Sequence, residues 1–596
     1  MKKIEKYLNQ VTKPGRYVGG EYNSVIKETP VELRFALAFP DTYEVGMSHL
    51  GSQLLYSIIN ARENTWCERV YCPWIDFESV LRENKIPLYA LESKDPISQF
   101  DILGITLQYE LTYTNILNML DLAQLPIYAA ERDESMPLVL GGGPCAYNPE
   151  PIAAFFDCFL IGEGEEAVHD ICDCVINWNQ SGKTGGKAAL LSALSIIPGV
   201  YVPALGKHPV VKRVCRNLDA ATGKIVPIVP NIEIVHDRAM LEVFRGCTRG
   251  CRFCQAGFVY RPVRERRLEN VCSMAKQLLA TSGYDEISLT SLSSADYSQI
   301  ADTVKCIQKD GSERISVSLP SLRMDSFSID LAKLVQNVRK GSMTFAPEAG
   351  TQRLRDVINK NVTDEDIDSA LTAAFSAGCR TVKLYFMIGL PFETDVDVIG
   401  IIDTARRVER LFRSVTGKGG VKITVSVANF VPKAQTPFQR EKQNTAEEFS
   451  RKHGLLREAA RNCRAVSLKY HDSATSCLEG AFARGGRELA PVIETAWRNS
   501  AKFDGWSEMF KYSVWQKAFA DNHLRLEEIL AADYSTVSVL PWQHISAGVS
   551  SGYFASELLK ASTGQLTADC RRADCIGCGV CQELDVEVVD WGMSQR

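Results

Sequence analysis

The sequence RGCTRGCRFC at residues 245–254 decides how the rest of the chain is interpreted. It closes an apolar run, LEVFRGC, of the kind that forms a buried strand. Cys247, Cys251 and Cys254 share one Gly-rich loop, in which small residues let the backbone wrap closely around a cuboidal iron–sulfur cluster. Three protein ligands leave one iron open, and an open position favours chemistry over a purely structural role. The alternatives are a zinc knuckle with a distant fourth ligand and three unrelated core cysteines.

Strand and helix patterns alternate from this loop onward. Six apolar runs, at residues 241–247, 286–292, 314–322, 342–350, 381–390 and 422–432, alternate with five amphipathic helical segments such as 328–341 and 398–412. Repeated βα units with right-handed crossovers close into a barrel or part of one. The pattern therefore predicts an α/β protein with a partial (β/α)6 TIM-like barrel at residues 236–440, and functional residues at its strand carboxyl ends.

A separate α/β pattern precedes the barrel. Apolar runs at residues 33–40, 100–108, 137–143 and 155–165 predict an open parallel sheet over residues 31–170, with any ligand at the strand carboxyl ends. We expect residues 1–30 to form an arm, 171–235 a linker region, 441–568 a mainly helical extension and 569–596 a Cys-rich tail. The uncharged stretch 188–206 has transmembrane length, but its Ser, Pro and Gly residues favour a helix ending in a turn.

Composition narrows the class of protein. The 596 residues are 45% hydrophobic and 23% charged, which excludes disordered, collagen-like and coiled-coil proteins. Lys plus Arg number 67 and Asp plus Glu 72, so the net charge of −5 argues against a chain-wide nucleic-acid-binding surface. An odd count of 19 cysteines and a charged first segment without an apolar signal region predict a cytoplasmic, reduced protein with no membrane attachment. Clustered thiols in that compartment more often bind metal.

A second group of cysteines lies in DCRRADCIGCGVCQ, residues 569–582. Cys570, Cys575, Cys578 and Cys581 can saturate one metal centre, and CIGCGVC resembles a ferredoxin half-site. A second 4Fe-4S cluster and a four-thiolate zinc site are both consistent with this spacing. A saturated site of either kind predicts electron relay or a structural role.

The CxxxCxxC loop after the first strand of a six-unit barrel resembles the radical S-adenosylmethionine (SAM) superfamily, in which the three thiolates hold a 4Fe-4S cluster. The resemblance implies that the open iron chelates the methionine moiety of SAM and that the reduced cluster cleaves SAM to a 5'-deoxyadenosyl radical. Residues at the places where this family contacts SAM would then bind the cofactor, although each is also compatible with turn chemistry. They are Phe253, Ser291, Ser293, Ser318, Arg323, Glu348, Arg353, Gly389 and Pro391.

The N-terminal pattern resembles the Rossmann-like cobalamin-binding domains that precede one class of radical SAM enzymes. The resemblance lies in the DTYEVG loop, with Asp41, Tyr43 and Gly46, and in Thr106, Gly141 and Gly142 after later strands. Tyr43 stands where the family has its cobalt-ligating His, and a phenol is a poor replacement for imidazole. The domain either binds cobalamin without a protein ligand to cobalt or keeps the fold without the cofactor.

Together these features predict a radical SAM enzyme acting on an unidentified RNA, protein or small molecule. Bound cobalamin would favour methyl transfer, and its absence would favour methylthiolation, oxidation or rearrangement. RERR and TFAPEAGTQRLR resemble methylthiotransferases, whose three-Cys N-terminal domain is not evident here. The alternative of another class is a non-catalytic iron–sulfur electron carrier or redox sensor. Expected partners are a reductant such as flavodoxin or ferredoxin and a small radical SAM-linked protein.

A basic run follows the cysteine loop, at Arg261, Arg264, Arg266 and Arg267. It is either the solvated first turn of a helix or a contact for an anionic substrate or RNA phosphate.

Overall fold

The computed structural model describes residues 2–28, 30–223, 225–309, 315–320, 322–326, 343–535 and 539–592. The chain divides into two compact units. The first contains Met1–Asp237, Gly485–Leu526 and Val539–Ala547, and the second contains Arg238–Arg484, Glu527–Ser538 and Gly548–Arg596. Part of the stretch predicted as one helical extension, 441–568, therefore groups with the N-terminal residues.

The first unit is built on a six-stranded sheet. Its strands are β1 (Leu33–Phe39), β2 (Thr65–Tyr71), β3 (Ile102–Thr106), β4 (Leu138–Gly142), β5 (Cys158–Leu160) and β6 (Val200–Tyr201), in the order β2-β1-β3-β4-β5-β6. The first five strands run parallel and β6 pairs antiparallel with β5. Ala36, Leu103 and Val139 on the central strands are fully buried, which explains why these runs are apolar throughout. The parallel α/β sheet predicted here is confirmed.

Helices complete the first unit. They are Lys2–Glu5, Tyr43–Met47, Leu50–Asn60, Ile75–Glu83, Tyr113–Leu122, Gly164–Gln180, Gly186–Leu194, Leu218–Ala221, Ala490–Arg498 and Tyr512–Asp521. A short strand β7 (Val210–Val211) pairs in parallel with Ile545–Ser546. The uncharged stretch at residues 188–206 is α-helical only to Leu194, then forms β6, and ends in a 3-10 helix at Pro203–Leu205. Across the described residues, no helix combines the length and apolar character needed to cross a bilayer.

The second unit contains two parallel sheets. β8 (Ala239–Glu242), β11 (Glu286–Thr290) and β12 (Ser316–Ser318) form one in the order β12-β11-β8, while β9 (Phe244–Arg245) and β10 (Arg264–Glu265) form a separate antiparallel pair. β13 (Met343–Glu348), β14 (Thr381–Ile388), β15 (Lys422–Asn429) and β16 (Val466–Tyr470) form the other in that order. Because all strands within each sheet are parallel, their carboxyl ends share one edge.

β16 is a seventh parallel strand that the apolar runs do not predict. Its sequence, VSLKY, is short, and its side chains are exposed or half-exposed along its length. An edge strand of this kind lacks the continuous apolar run by which the other six are recognised. The helix predicted at residues 328–341 lies outside the described residues.

Helices alternate with these strands. They are Ala256–Val259, Leu268–Ser282, Ile300–Lys309, Gln352–Val357, Asp364–Ser376, Asp395–Thr416, Ala446–Ala460, Ser473–Arg484, Leu526–Ala531, Ser551–Thr563 and Val580–Glu583. The two helices that begin at Asp364 and Asp395 each start with a capping box, in which a Thr and an Asp satisfy otherwise unpaired N–H groups. Cys272 and Cys306, on two neighbouring helices, form a disulfide with their Cα atoms 6.3 Å apart.

Candidate active site

The cysteine loop begins just after β8 and is closed at its base by a short ladder. β9 and β10 pair antiparallel, with Arg245 opposite Arg264 and Phe244 opposite Glu265. Gly246 has φ +93°, and a Cβ there would stand 2.2 Å from the carbonyl oxygen of Pro262. Only glycine fits this position, because it needs both the left-handed backbone and the close approach. The ladder and the glycine together hold the loop as a closed turn.

The three thiols of the loop interact with one another. Burial, together with the Cys251 and Cys247 thiols, raises the pKa of Cys254 to about 12, against the lowering effects of the Gly257 N–H and Lys360. Burial and Cys251 likewise raise the pKa of Cys247. Thiols that crowd one another lose protons reluctantly, and a bound metal cation reverses that preference. The donor set therefore suits an iron–sulfur cluster.

A cuboidal cluster and a single ion place different demands on three thiols, since in a cuboidal cluster each thiolate binds a different iron. Within the described part of the chain, no three Cys, His, Asp or Glu side chains are placed so as to enclose one metal ion.

Charged groups from two other strand ends lie beside the thiols. The Arg323 Nη1 donates to Cys251 Sγ at 3.9 Å, and its Nη2 donates to the Lys360 carbonyl at 2.7 Å. The Lys360 ammonium in turn pairs with Glu348 at 3.2 Å. Arg323 follows β12 and Glu348 ends β13, so the structure brings these two predicted SAM residues to the cysteine loop. Lys360 is absent from the sequence-based set because no motif marks it.

Arg323 is held by a carboxylate as well as by the thiol. Asp325 accepts from Arg323 Nε at 3.0 Å and from Arg249 Nη1 at 2.8 Å. The ion pair holds the guanidinium in one orientation, whereas a long side chain without such a partner samples many.

The remaining predicted SAM residues lie at strand ends or against the core. Ser291 accepts from the Ser293 N–H at 3.2 Å just after β11, and Ser318 ends β12. Phe253 packs against the apolar cluster that contains Leu354, Leu390 and Phe430. Arg353 is half-exposed and pairs with Asp397, so its guanidinium already has a carboxylate partner within the second unit. Gly389 follows β14, its N–H donates to Glu393 at 2.9 Å, and Pro391 is buried two residues later.

The residues between the cysteines are tied to the end of the chain. Thr248 Oγ1 donates to Asp569 at 2.6 Å. Arg252 is fully buried and pairs with Glu557 at 3.1 Å, while its Nη2 donates to the Gln565 carbonyl at 2.7 Å. The sequence gives no local signal for these contacts, because the partners are more than 300 positions apart.

The basic run after the loop is largely buried rather than solvated. Arg261, Arg264 and Arg266 are each 1% exposed. This burial excludes both a solvated helix turn and a surface contact for an anionic substrate or RNA phosphate at these three residues. Arg261 Nε donates to the Gly257 carbonyl at 2.8 Å, and Arg266 Nε donates to the Glu242 carbonyl at 2.8 Å. These arginines therefore bind backbone carbonyls that lie on either side of the cysteine loop.

The tail cysteines lie close to one another. Cys578 is buried in a cluster with Phe258 and Tyr553, whereas Cys575 and Cys581 are exposed. Burial, together with Asp569, Cys578 and Cys581, raises the pKa of Cys570 to about 11, against the lowering effect of Arg261. Burial, Cys578 and Cys575 raise the pKa of Cys581 in the same way. The donor set is four thiols and suits either iron–sulfur or zinc.

The DTYEVG loop of the first unit is satisfied by the chain itself. Tyr43 is 1% exposed, its hydroxyl accepts from the Asn231 N–H at 3.3 Å, and burial strongly raises its pKa. Asp41 accepts from Trp506 Nε1 at 3.1 Å. A Cβ at Gly46 would stand 2.3 Å from the Tyr71 ring, so the small residue accommodates Tyr71.

The other residues predicted to bind cobalamin are also packed internally. Thr106 Oγ1 donates to the Ala38 carbonyl at 3.3 Å, and Gly141 packs against Phe159. Gly142 has more room, with no atom closer than 3.8 Å to an added Cβ. Since the Tyr43 phenol is buried and engaged, the residues of this loop do not fit a cobalt ligand.

Known proteins similar to this chain include radical SAM proteins, as the cysteine spacing predicts. Residues 51–203 match the family model described as Radical SAM proteins, N-terminal, and residues 241–405 match that of the Radical SAM superfamily. An uncharacterized protein of Methanocaldococcus jannaschii is 28% identical over 460 residues, which cover 77% of this chain and 90% of that protein. A tRNA-2-methylthio-N(6)-dimethylallyladenosine synthase of Lachnoclostridium phytofermentans is 23% identical over 237 residues, covering 37% of this chain and 51% of that enzyme.

Two solved structures are also similar. The radical SAM methyltransferase TsrM from Kitasatospora setae, with cobalamin and a 4Fe-4S cluster bound, is 14% identical over 66% of this chain and 74% of its own, with a TM-score of 0.47. The cobalamin-dependent SAM radical enzyme OxsB is 14% identical over 93% of this chain and 83% of its own, also with a TM-score of 0.47. The cysteine loop lies near the start of the second family match, so residues 241–405 are identified as a radical SAM domain.

Proposed function

We propose that the chain is an enzyme that reductively cleaves SAM at a 4Fe-4S cluster held by Cys247, Cys251 and Cys254. The observation that carries the proposal is the contact of Arg323 with Cys251, continued through Lys360 to Glu348. Charged groups from two strand ends beside a three-thiol loop suit the binding of a zwitterionic ligand. An electron carrier with a closed cluster has no use for them.

When bound, the cluster and SAM supply the electron transfer and the 5'-deoxyadenosyl radical that abstracts hydrogen from a substrate. The chain's own residues would bind SAM and orient it beside the cluster. The Arg323 guanidinium stabilises negative charge beside the Cys251 sulfur and can also receive a carboxylate. The Glu348 carboxylate can receive the ammonium group of SAM in place of Lys360. Phe253, on the apolar cluster, offers a face for the adenine ring.

The reaction that follows does not draw on a cobalt ligand from the Tyr43 loop, because that phenol is buried and engaged. Cobalamin-dependent methyl transfer is thus proposed only for a corrinoid held without a protein ligand to cobalt. Methylthiolation is a second candidate, favoured by the similarity to the tRNA-modifying synthase over 37% of this chain. For both reactions we propose RNA as the substrate class, because the tRNA-modifying synthase is a relative of this chain.

For the tail, we propose a second 4Fe-4S cluster on Cys570, Cys575, Cys578 and Cys581, with zinc as the alternative. The alternatives separate by metal analysis of protein purified without oxygen. An iron-loaded tail predicts that Cys575→Ser together with Cys581→Ser lowers the iron content, whereas a zinc-loaded tail predicts a loss of zinc and unchanged iron.

The test of the main proposal is anaerobic reconstitution with iron and sulfide, followed by reduction in the presence of SAM. We expect 5'-deoxyadenosine from the wild-type chain and none from the triple variant Cys247→Ala, Cys251→Ala, Cys254→Ala. Cys174→Ala is the matched control, because Cys174 is a half-buried thiol of the first unit, and it should behave as wild type. A well-formed cluster that yields neither 5'-deoxyadenosine nor S-adenosylhomocysteine would contradict the proposal.

A further inference from the structure

Asp569 belongs to both groups of cysteines. It directly precedes Cys570, the first thiol of the tail, and its side chain is 10% exposed. Its Oδ1 accepts from Thr248 Oγ1 at 2.6 Å, and its Oδ2 pairs with Arg249 Nε at 3.4 Å. Thr248 and Arg249 are the two residues that follow Cys247. One carboxylate of the tail thus holds the first turn of the cysteine loop.

The same carboxylate is fixed from the tail side. Its Oδ1 also accepts from the Arg571 N–H at 2.9 Å, on the other side of Cys570. The Arg571 side chain pairs with Glu265 at 2.7 Å and with Asp590 at 2.5 Å. Glu265 belongs to β10, which closes the cysteine loop. Cys570 is therefore flanked by two charged residues, and each of them is bound to the loop or to the ladder that closes it.

Neighbouring contacts extend this connection along the tail. Asn359 Oδ1 accepts from the Thr567 N–H at 2.8 Å, while Asn359 Nδ2 donates to the carbonyl oxygens of Gly250 and Thr567, each at 3.1 Å. Gly250 immediately precedes Cys251. The tail backbone just before Asp569 is therefore bound to the same side chain as the middle of the cysteine loop.

We infer that Asp569 is a positioning residue that couples the two groups of cysteines, so that metal bound by the tail thiols holds the cysteine loop in its cluster-binding form. A metal on Cys570 fixes the backbone from which the Asp569 carboxylate extends. Loss of that metal lets residues 569–581 move. Asp569 moves with them and no longer holds Thr248 and Arg249 in place. The inference rests on the proposed cluster at Cys247, Cys251 and Cys254.

The test follows the electron paramagnetic resonance signal of the reduced cluster, taking the component that shifts on addition of SAM as the signal of the open-iron cluster. Asp569→Asn retains the shape of the side chain and removes its charge. We expect this signal to decay about tenfold faster under an iron chelator, the effect of losing one charge-assisted hydrogen bond. Cys575→Ser with Cys581→Ser, which empties the tail through two exposed thiols, should accelerate the decay similarly.

Controls separate coupling from general damage. Asp574→Asn makes the same change at an exposed tail position between Cys570 and Cys575 and should decay as wild type. Thr248→Val removes the same hydrogen bond from the loop side and should reproduce Asp569→Asn, which also covers the case in which the Asp569 variant does not fold.

Combining Asp569→Asn with the two tail substitutions should add nothing, because all act through one connection. Additive effects, or wild-type decay in both Asp569→Asn and Thr248→Val, would overturn the inference. A wild-type chain with no SAM-sensitive signal would instead contradict the proposed function.

Discussion

Glu348 is the residue at which backbone strain and proposed function coincide. It ends β13 with φ +71°, and the strand register shifts between Phe345 and Glu348. A non-glycine residue in the left-handed region costs about 1–2 kcal/mol. Bulges and strained residues concentrate at functional sites, where they aim a side chain. We predict that this strain is retained because it directs the Glu348 carboxylate toward SAM.

The perturbation is Glu348→Gly, and its expected effect on stability is small. Glycine relieves about 1–2 kcal/mol of left-handed strain. Against this stand about 0.5–1 kcal/mol of added backbone entropy in the unfolded chain and up to about 1 kcal/mol from the lost pair with Lys360. These contributions nearly cancel, so the free energy of unfolding should change by less than about 1 kcal/mol.

SAM binding should respond far more strongly. Loss of a charge-assisted hydrogen bond of about 1.5–3 kcal/mol weakens binding by about ten- to a hundredfold. The assay is calorimetric titration of SAM into the anaerobically reconstituted chain, beside thermal melting of the same samples. Glu348→Gln keeps the strain and removes the charge, so it should weaken SAM binding and lower the melting temperature slightly. Wild-type SAM affinity in both variants would refute the role of the carboxylate, and a large loss of stability in Glu348→Gly would refute the strain argument.

Three further predictions concern buried groups. Arg252→Met should lower the melting temperature by removing about 3 kcal/mol, because Glu557 and several carbonyls lose a buried partner; an unchanged melting curve would contradict this. Burial raises the pKa of Asp504 to about 6, against lowering by Trp515 and Thr114, so the unfolded chain loses this proton first and stability should fall as pH rises from about 4 to 6. Asp504→Asn should flatten that slope in melting scans, and an unaltered slope would assign the pH dependence to other groups. Tyr43→Phe should leave the corrinoid content of protein incubated with hydroxocobalamin unchanged, and a fall in that content would show that the phenol contributes to binding.

How much the sequence could predict depends on the range of the interactions. The cysteine loop and six strands are visible because each depends on neighbouring residues, either a thiol spacing or a continuous apolar run. β16 is missed because a short, exposed edge strand carries no such run. Lys360 and Asp569 are missed for a different reason, since their importance comes from partners brought close by folding.

Arg261, Arg264 and Arg266 show the limit of charge patterning. Four arginines within seven positions are typical of a surface that meets solvent or phosphate. Here three of them are buried, with their guanidinium groups donating to the backbone carbonyls of Gly257, Pro262 and Glu242. Every residue has a backbone carbonyl, so no sequence pattern predicts that an arginine will be buried against one.

The charges around the cysteine loop are divided between holding the loop and meeting its ligands. Arg249 and Arg252 point their charge at carboxylates of the same unit, Asp296 and Glu557 among them, and so fix the backbone between the thiols. Arg323 and Lys360 act on the thiols themselves, and the two are joined by a hydrogen bond from Arg323 to the Lys360 carbonyl. Positive charge nearby helps the three thiols to lose their protons. A cation that is held by a carboxylate cannot shift toward the cluster when the charge of the cluster changes. Lys360, whose partner is Glu348, would become free to do so if that carboxylate turned to the ammonium group of SAM as proposed. Binding of SAM would thus release a positive charge beside Cys254 at the moment when the cluster must accept an electron.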